Sequence, residues 1–357
     1  MARILRLAAV GTGGIWRWGH SKPLSEHPEI RIVALCDIVR EKALKLAPDY
    51  GLGPERVFAD YRDVVALPEV DIVDICTPNL FHSEIAIAAL EAGKHVFCEK
   101  PDAVSPDKAV AMAAAARASG KTLMVMRNNR FRPEVQWLKR MAEEGRLGEL
   151  YAGRCGWIRR RGIPGKGGWF TTKALSGGGP LIDLGVHMID LAVYLMGNPA
   201  AVAVSGATYR KFADAEATDS VHAAFGERQA EGVFDVEDLA IGFIRFANGA
   251  TLQVECSWAS NIEQESHFVE LRGTRGGCRL AADAEPRVFA EMAGAMVDIV
   301  PRPAKSQWGG HGDNLYHFID VVQGRAEPIF TPDQGVNMIR MLAALYESAA
   351  TGREVAL

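Results

Sequence analysis

Asp183 and His187 stand four positions apart in GGGPLIDLGVHMID, residues 177–190. Residues at that spacing share one face of a helix, so an acid and an imidazole would lie side by side. An imidazole, with an ordinary pKa of about 6.5, can take up or release a proton at neutral pH. A carboxylate beside it can orient the ring or accept from a hydroxyl. The flanking residues Leu181, Ile182, Leu184, Val186, Met188, Ile189 and Leu191 are apolar. A helix this apolar is expected to be buried, and buried polar groups need partners. Pro180 suits a first helical turn. Gly177–Gly179 are expected to leave free N–H groups beside the helix start. Asp190 reads as a structural, buried hydrogen-bonding residue. The plainer alternative is an Asp–His pair on a solvated side.

A second set of residues suits a dinucleotide. The first apolar run ends in GTGGIW, where Gly11 and Gly13 fill the first two places of G-x-G-x-x-G. The first glycine permits a tight turn, and the second lets backbone N–H groups approach a pyrophosphate at a helix N-terminus. Trp16 stands where the third glycine would be. The next apolar run, RIVALCD, ends in Asp37. An acid there suits a ribose diol and repels a 2′-phosphate, which favours NAD over NADP. Arg40 blurs that preference. Thr77, Pro78, Asn79 and His82 lie at a later strand-to-helix junction, and Glu99-Lys100-Pro101 ends another strand. As a lone tripeptide, the latter reads as a surface loop.

Elements to position these residues are legible. Apolar runs at Leu5–Val10, Ile30–Leu35, Val70–Ile75, His95–Cys98 and Thr122–Met126 alternate with helical patterns at Ser83–Ala92 and Asp107–Ser119. That alternation predicts a parallel sheet covered on both faces: an α/β, doubly wound fold. From about residue 131 the pattern changes. LAIGFIRFANGATLQVECSWAS is two alternating runs joined by Asn248-Gly249, which predicts a hairpin in a mostly antiparallel sheet. A last helix is expected over Gln334–Ala350. The predicted domains are 1–130 and 131–357, with the last helix able to pack back on the first.

Several motifs in order, AAVGTGGI, TPNLFH, HVFCEKP, MRNNRF, GGGPLIDLGVHMIDL and EDLAIGFIRFANGATLQVECSW, resemble those of the glucose–fructose oxidoreductase / inositol dehydrogenase (Gfo/Idh/MocA) family over nearly the whole chain. The resemblance implies a Rossmann domain followed by an α/β domain with a large open sheet that supports dimers or tetramers. It implies catalytic roles for Lys100, Asp183 and His187, and a cis Lys100–Pro101 bond. It implies cofactor contacts from Gly11, Gly13, Ile15, Asp37, Thr77, Asn79, His82, Glu99, Lys100 and Asn128. Gly14, Trp16, Pro78 and Trp169 complete that candidate set. On the substrate side stand Lys100, Arg127, Arg161, Asp183, His187 and His311, with Arg127 departing from the family's apolar or aromatic residue. Two glycine-containing loops are expected to shape the pocket. Residues 159–179 carry Arg161, Trp169 and Phe170, and residues 308–318 carry His311, Asn314 and Tyr316.

The implied activity is NAD(P)-dependent oxidation of a ring secondary alcohol of a sugar or polyol. Two other readings stand beside it: a glycosidase using transient oxidation by NAD, and a nucleotide-bound sensor without catalysis. The 357 residues carry a formal net charge of -4, which points away from nucleic acid and anionic membranes. No run approaches the roughly 18 continuous apolar residues of a membrane span. Cys36, Cys76, Cys98, Cys155, Cys256 and Cys278 form no CxxC. No metal is expected, and Cys36, Cys76 and Cys98, which end apolar runs, read as small buried hydrophobes of a reducing compartment, the expected location being the cytoplasm.

Overall fold

The computed structural model describes residues 3–282 and 284–357. The chain divides into two units, Met1–Asn128 with Gln307–Val336, and Asn129–Ser306 with Asn337–Leu357. Residues 307–336, assigned from sequence to the second domain, thus cluster with the first.

The first unit is built on six strands: β1 Leu5–Val10, β2 Ile30–Cys36, β3 Val57–Phe58, β4 Ile72–Ile75, β5 His95–Cys98 and β6 Leu123–Val125. They pair in parallel, in the order β3-β2-β1-β4-β5-β6. The order reverses between β1 and β4, so a crevice opens outside their carboxyl ends, where open α/β sheets bind ligands. β4 is buried at every position because helices cover both faces. Leu315, Phe318, Ile319 and Phe330 join this core. The helix that carries the first three, Gly309–Val322, replaces the loop expected at 308–318. Its glycines read as loop but serve close approach: a Cβ on Gly310 would come within 2.2 Å of Asn128 O.

The second unit carries nine strands: β7 Leu150–Ile158, β8 Ala201–Tyr209, β9 Leu239–Phe246, β10 Thr251–Ser257, β11 Ser266–Gly273, β12 Gly276–Ala281, β13 Ala284–Met292, β14 Ala295–Ile299 and β15 Val355–Ala356. Their order is β14-β13-β12-β11-β7-β10-β9-β8-β15. The β7–β10 pair is parallel and the other pairs are antiparallel. β9 and β10 form the expected hairpin, with Gly249 at φ 86°. Along β9, buried and more exposed positions alternate, as a sheet covered on one face requires. The helix Val186–Leu195 packs on that covered face against β7 and β11.

By length and composition, Lys173–Leu195 could cross a membrane, contrary to the expectation that no segment qualifies, yet 94% of its apolar window is buried inside the protein. Its apolarity belongs to a core. All six cysteines are free and buried, among them Cys36, Cys76 and Cys98 as expected.

Candidate active site

In the first unit the glycine loop does what its residue types suggest. Gly11 has φ 90°, and a Cβ there would lie 2.5 Å from Cys76 O, so only glycine fits. Gly13 and Gly14 face open space, with nothing within 4 Å of a Cβ built on either. Asp37 closes the loop: its Oδ2 accepts from Thr12 N at 2.9 Å and Thr12 Oγ1 at 3.0 Å, and its Oδ1 from Val39 N at 2.9 Å. Arg40 is turned away, donating to Val57 O at 2.9 Å and Pro54 O at 2.6 Å. It therefore does not offset the acid at Asp37. Two more polar atoms here are buried without a hydrogen-bond partner, Thr77 Oγ1 and Asn128 Oδ1. Open glycine backbone, an acid at the end of β2 and two orphaned polar atoms fit a dinucleotide.

Other candidates in this unit are internal. Trp16 is fully buried in the core, edge-on to Tyr50, at the start of a π-turn, Trp16–His20. The wider turn accommodates a bulky residue where glycine would permit close packing, and Trp16 is not a surface for a cofactor. His82 is fully buried, with Nδ1 2.7 Å from Pro101 O and Nε2 2.9 Å from Thr77 O. Burial pushes its pKa down, and the neutral ring, wedged between two loops, can donate to one of these carbonyls at a time. Arg127, expected at the substrate, is 3% exposed. It pairs with Asp102, donates from Nη1 to Met126 O at 2.9 Å and stacks 4.8 Å over Phe330. Its backbone N–H donates to Asn314 Oδ1 at 2.7 Å, so Asn314 is structural too. Tyr316 packs edge-on to His27.

Glu99 lies beneath Lys100, buried, and accepts from the Lys100 backbone N–H at 3.0 Å. Its other oxygen meets His20 Nε2 at 2.9 Å, while His20 Nδ1 faces Asp74 at 2.9 Å. No local pattern in the chain marks His20. Burial alone would lower its pKa, but Asp74 and Cys76 hold it well above the ordinary value. For Glu99, burial acts upward and is outweighed by the hydrogen bond and charge of His20, leaving the carboxyl at about 2. His20, Asp74 and Cys76 are close enough to hold a metal ion, but a ring already bonded on both nitrogens to carboxylates is satisfied without one. His311 lies by Asn128 and edge-on to Trp18 at 4.8 Å. Burial, then the charges of His20 and Lys100 against that of Glu99, bring its pKa to about 4. The Lys100–Pro101 bond is cis.

In the second unit the helix begins as a π-turn, Leu181–Gly185, and continues as α over Val186–Leu195. Within Leu181–Leu195 only Asp183 and His187 escape burial. Asp183 Oδ2 accepts from the indole of the fully buried Trp258 at 2.9 Å. The N–H groups expected to be free at the helix start are taken. Gly177 donates to Lys173 O at 2.8 Å and Gly178 to Ser176 Oγ at 3.3 Å. Glu237 accepts from Gly179 N at 2.9 Å, Leu181 N at 3.1 Å and Tyr346 Oη at 2.9 Å. A carboxylate is well placed at a helix N-terminus, and burial still raises its pKa against these donors. Gly179 is required here, since a Cβ would lie 2.0 Å from Glu237 O. Asp190 makes a buried two-pronged pair with Arg130, at 2.8 and 2.7 Å, which is the structural role expected of it.

Of the loop candidates, Trp169 stacks on Phe170 at 3.8 Å, and Phe170 packs in a small core with Leu184 and Trp258. Arg161 donates to Ser260 O at 3.0 Å and Asn261 Oδ1 at 2.7 Å and lies 4.1 Å over Phe212. Those contacts clamp the loop instead of leaving the guanidinium for substrate. The residues missed on this side surround Trp157 on β7. Its ring centroid lies 6.2 Å from that of His187, 5.8 Å from His222 and 4.9 Å from His267.

Both parts of the chain match domains of known proteins. Residues 5–127 match the Gfo/Idh/MocA description "Oxidoreductase family, NAD-binding Rossmann fold", and residues 139–357 match its "C-terminal alpha/beta domain". The chain belongs to the Gfo/Idh/MocA oxidoreductase family. It is 36% identical over 354 residues to the D-glucoside 3-dehydrogenase of Escherichia coli K12, covering 99% of this chain and 97% of that protein. It is 34% identical over 282 residues to the levoglucosan dehydrogenase of Pseudarthrobacter phenanthrenivorans, covering 76% of this chain and 72% of that one. A crystal structure of levoglucosan dehydrogenase with NADH and levoglucosan matches with a TM-score of 0.83 at 26% identity, over 99% of both chains. The first unit of this oxidoreductase is an NAD-binding domain.

Proposed function

We propose that this oxidoreductase removes hydride from a ring secondary alcohol of a neutral or near-neutral sugar or polyol, with NAD preferred to NADP. One observation carries the reading: Asp183 and His187 are the two residues left accessible on an otherwise buried helix, one of them held by a buried indole. NAD, when bound, supplies the hydride acceptor. Gly13 and Gly14 offer backbone to its phosphates, and Asp37 suits an unphosphorylated ribose. His187 takes the hydroxyl proton. Asp183 accepts from a hydroxyl or orients the imidazole. Lys100, by the family's role, holds the alcohol oxygen and can share the proton. The glucoside and levoglucosan dehydrogenases among its relatives support a carbohydrate substrate.

The test is nicotinamide absorbance across a sugar and polyol panel with NAD and with NADP. Reduction by at least one carbohydrate, faster with NAD, is expected. Glycoside cleavage without net reduction, or no response to any carbohydrate, overturns the reading.

We further infer self-association through the open face of the second sheet. Tyr209 and Ile241 are each 44% exposed there, and a groove of about 490 Å³ runs past them and Phe243. Light scattering on Ile241→Lys, expected to lower the oligomeric state, tests it. The buried free thiols favour a cytoplasmic setting.

A further inference from the structure

Arg159 follows β7 directly and is 5% exposed. Its Nη1 donates to Gly162 O at 3.1 Å, while its Nε is buried without a hydrogen-bond partner. Glu265 Oε1 stands 3.9 Å from that nitrogen, an ion pair beyond hydrogen-bond reach, and 3.3 Å from His222 Nε2. Trp157, whose ring neighbours His222 and His187, also has a buried indole N–H without a partner. The Trp157 ring, 6.2 Å from that of His187 and 5.8 Å from that of His222, places the group beside the Asp183–His187 face.

We propose that His222, Glu265 and Arg159 form a hydroxyl-reading subsite that selects an uncharged pyranoside over uronic acids and sugar phosphates. This rests on the dehydrogenase reading above and deepens it. Two buried N–H donors without acceptors are unfavourable until a ligand supplies oxygen atoms. The carboxylates of Glu265 and Asp183 can only accept. Groups that both donate and accept at adjacent positions are vicinal hydroxyls. The local charge disfavours an anion: Glu265 stands 3.9 Å from the one guanidinium, and burial with Arg159 nearby keeps the His222 ring toward its neutral form. Of the nearby cations, Arg160 is paired with Asp219 at 3.1 Å and Lys166 with Glu216 at 2.8 Å. Arg161 is held by Ser260 O and Asn261 Oδ1.

The test compares methyl glucoside, glucuronate and glucose 6-phosphate as reductants of NAD by the full chain and by Glu265→Gln and His222→Gln. The methyl glucoside is expected to be favoured at least about tenfold in kcat/KM. Both variants should raise its KM about tenfold or more with a smaller change in kcat, while the Kd for NAD and the melting temperature stay put. Preference for the uronate or the phosphate, or an unchanged KM in both variants, overturns the subsite while leaving the dehydrogenase reading intact. Failure of all three sugars, and of a wider neutral panel, overturns the dehydrogenase reading itself.

Discussion

The indole of Trp258 donates to Asp183 Oδ2 at 2.9 Å from a fully buried position. A rigid donor fixes where the carboxylate points. Asp183→Asn is expected to lower kcat by about 100-fold, and Trp258→Phe by about tenfold, since the latter removes one hydrogen bond to a charged group. Steady-state kinetics on the best sugar, with the melting temperature as control, checks both. Equal losses would mean that Trp258 acts through folding.

His187→Ala and Lys100→Ala should each lower turnover at least about 100-fold. The two differ in what else they move. Lys100 lies in the NAD-binding unit, whereas His187 does not, so a change in NAD affinity is expected for Lys100→Ala only. Fluorescence titration with reduced cofactor separates them.

Cofactor choice rests on Asp37, because Arg40 is engaged by Val57 O and Pro54 O. Asp37→Ser should weaken NAD and narrow the NAD/NADP preference about tenfold or more, which ratios of kcat/KM report. An unchanged ratio would place the discrimination elsewhere.

Stability should depend on pH through His20 and Glu99. The folded pKa of His20 is raised, so its contribution is complete below its unfolded value of about 6.5 and is lost as pH rises through the folded one. The Glu99 carboxyl, at about 2 when folded, contributes above its unfolded pKa and loses that contribution as pH falls. Melting temperature is therefore expected to fall on the alkaline side. His20→Gln should lower it throughout and flatten the alkaline slope, since breaking a buried pair costs about 3–5 kcal/mol. Calorimetry across pH reads both effects.

Arg127→Met should destabilise the protein by about 3–5 kcal/mol, because it strands Asp102 in the core. KM for sugar should change little. A large KM effect at unchanged stability would restore the substrate role first expected of Arg127.

What could be read from sequence was periodic or local. The strand–helix alternation revealed the first sheet, Asn248-Gly249 the hairpin, and the i,i+4 spacing the Asp183–His187 face. What could not be read depends on partners far apart in the chain. His20 meets Asp74 across 54 positions and Glu99 across 79. Glu237 reaches Gly179 across 58. Arg127 and Arg161 looked like substrate ligands because a basic side chain beside a motif carries no mark of the carboxylate or carbonyl it will meet. The glycines of 308–318 misled for a related reason: the close contacts of Gly310 with Asn128 and of Gly312 with Pro23 are tertiary.

One ring has a mechanical consequence. The His82 ring sits between the carbonyl of Thr77, past the end of β4, and that of Pro101, past the end of β5, and its one N–H can donate to either. The loop with the orphaned Thr77 hydroxyl and the loop with Lys100 are spanned by this one buried ring, so displacing either disturbs its seat against the other. Whatever seats itself against Thr77 therefore also sets the stance of the lysine, and the two loops answer to a ligand as a single jaw.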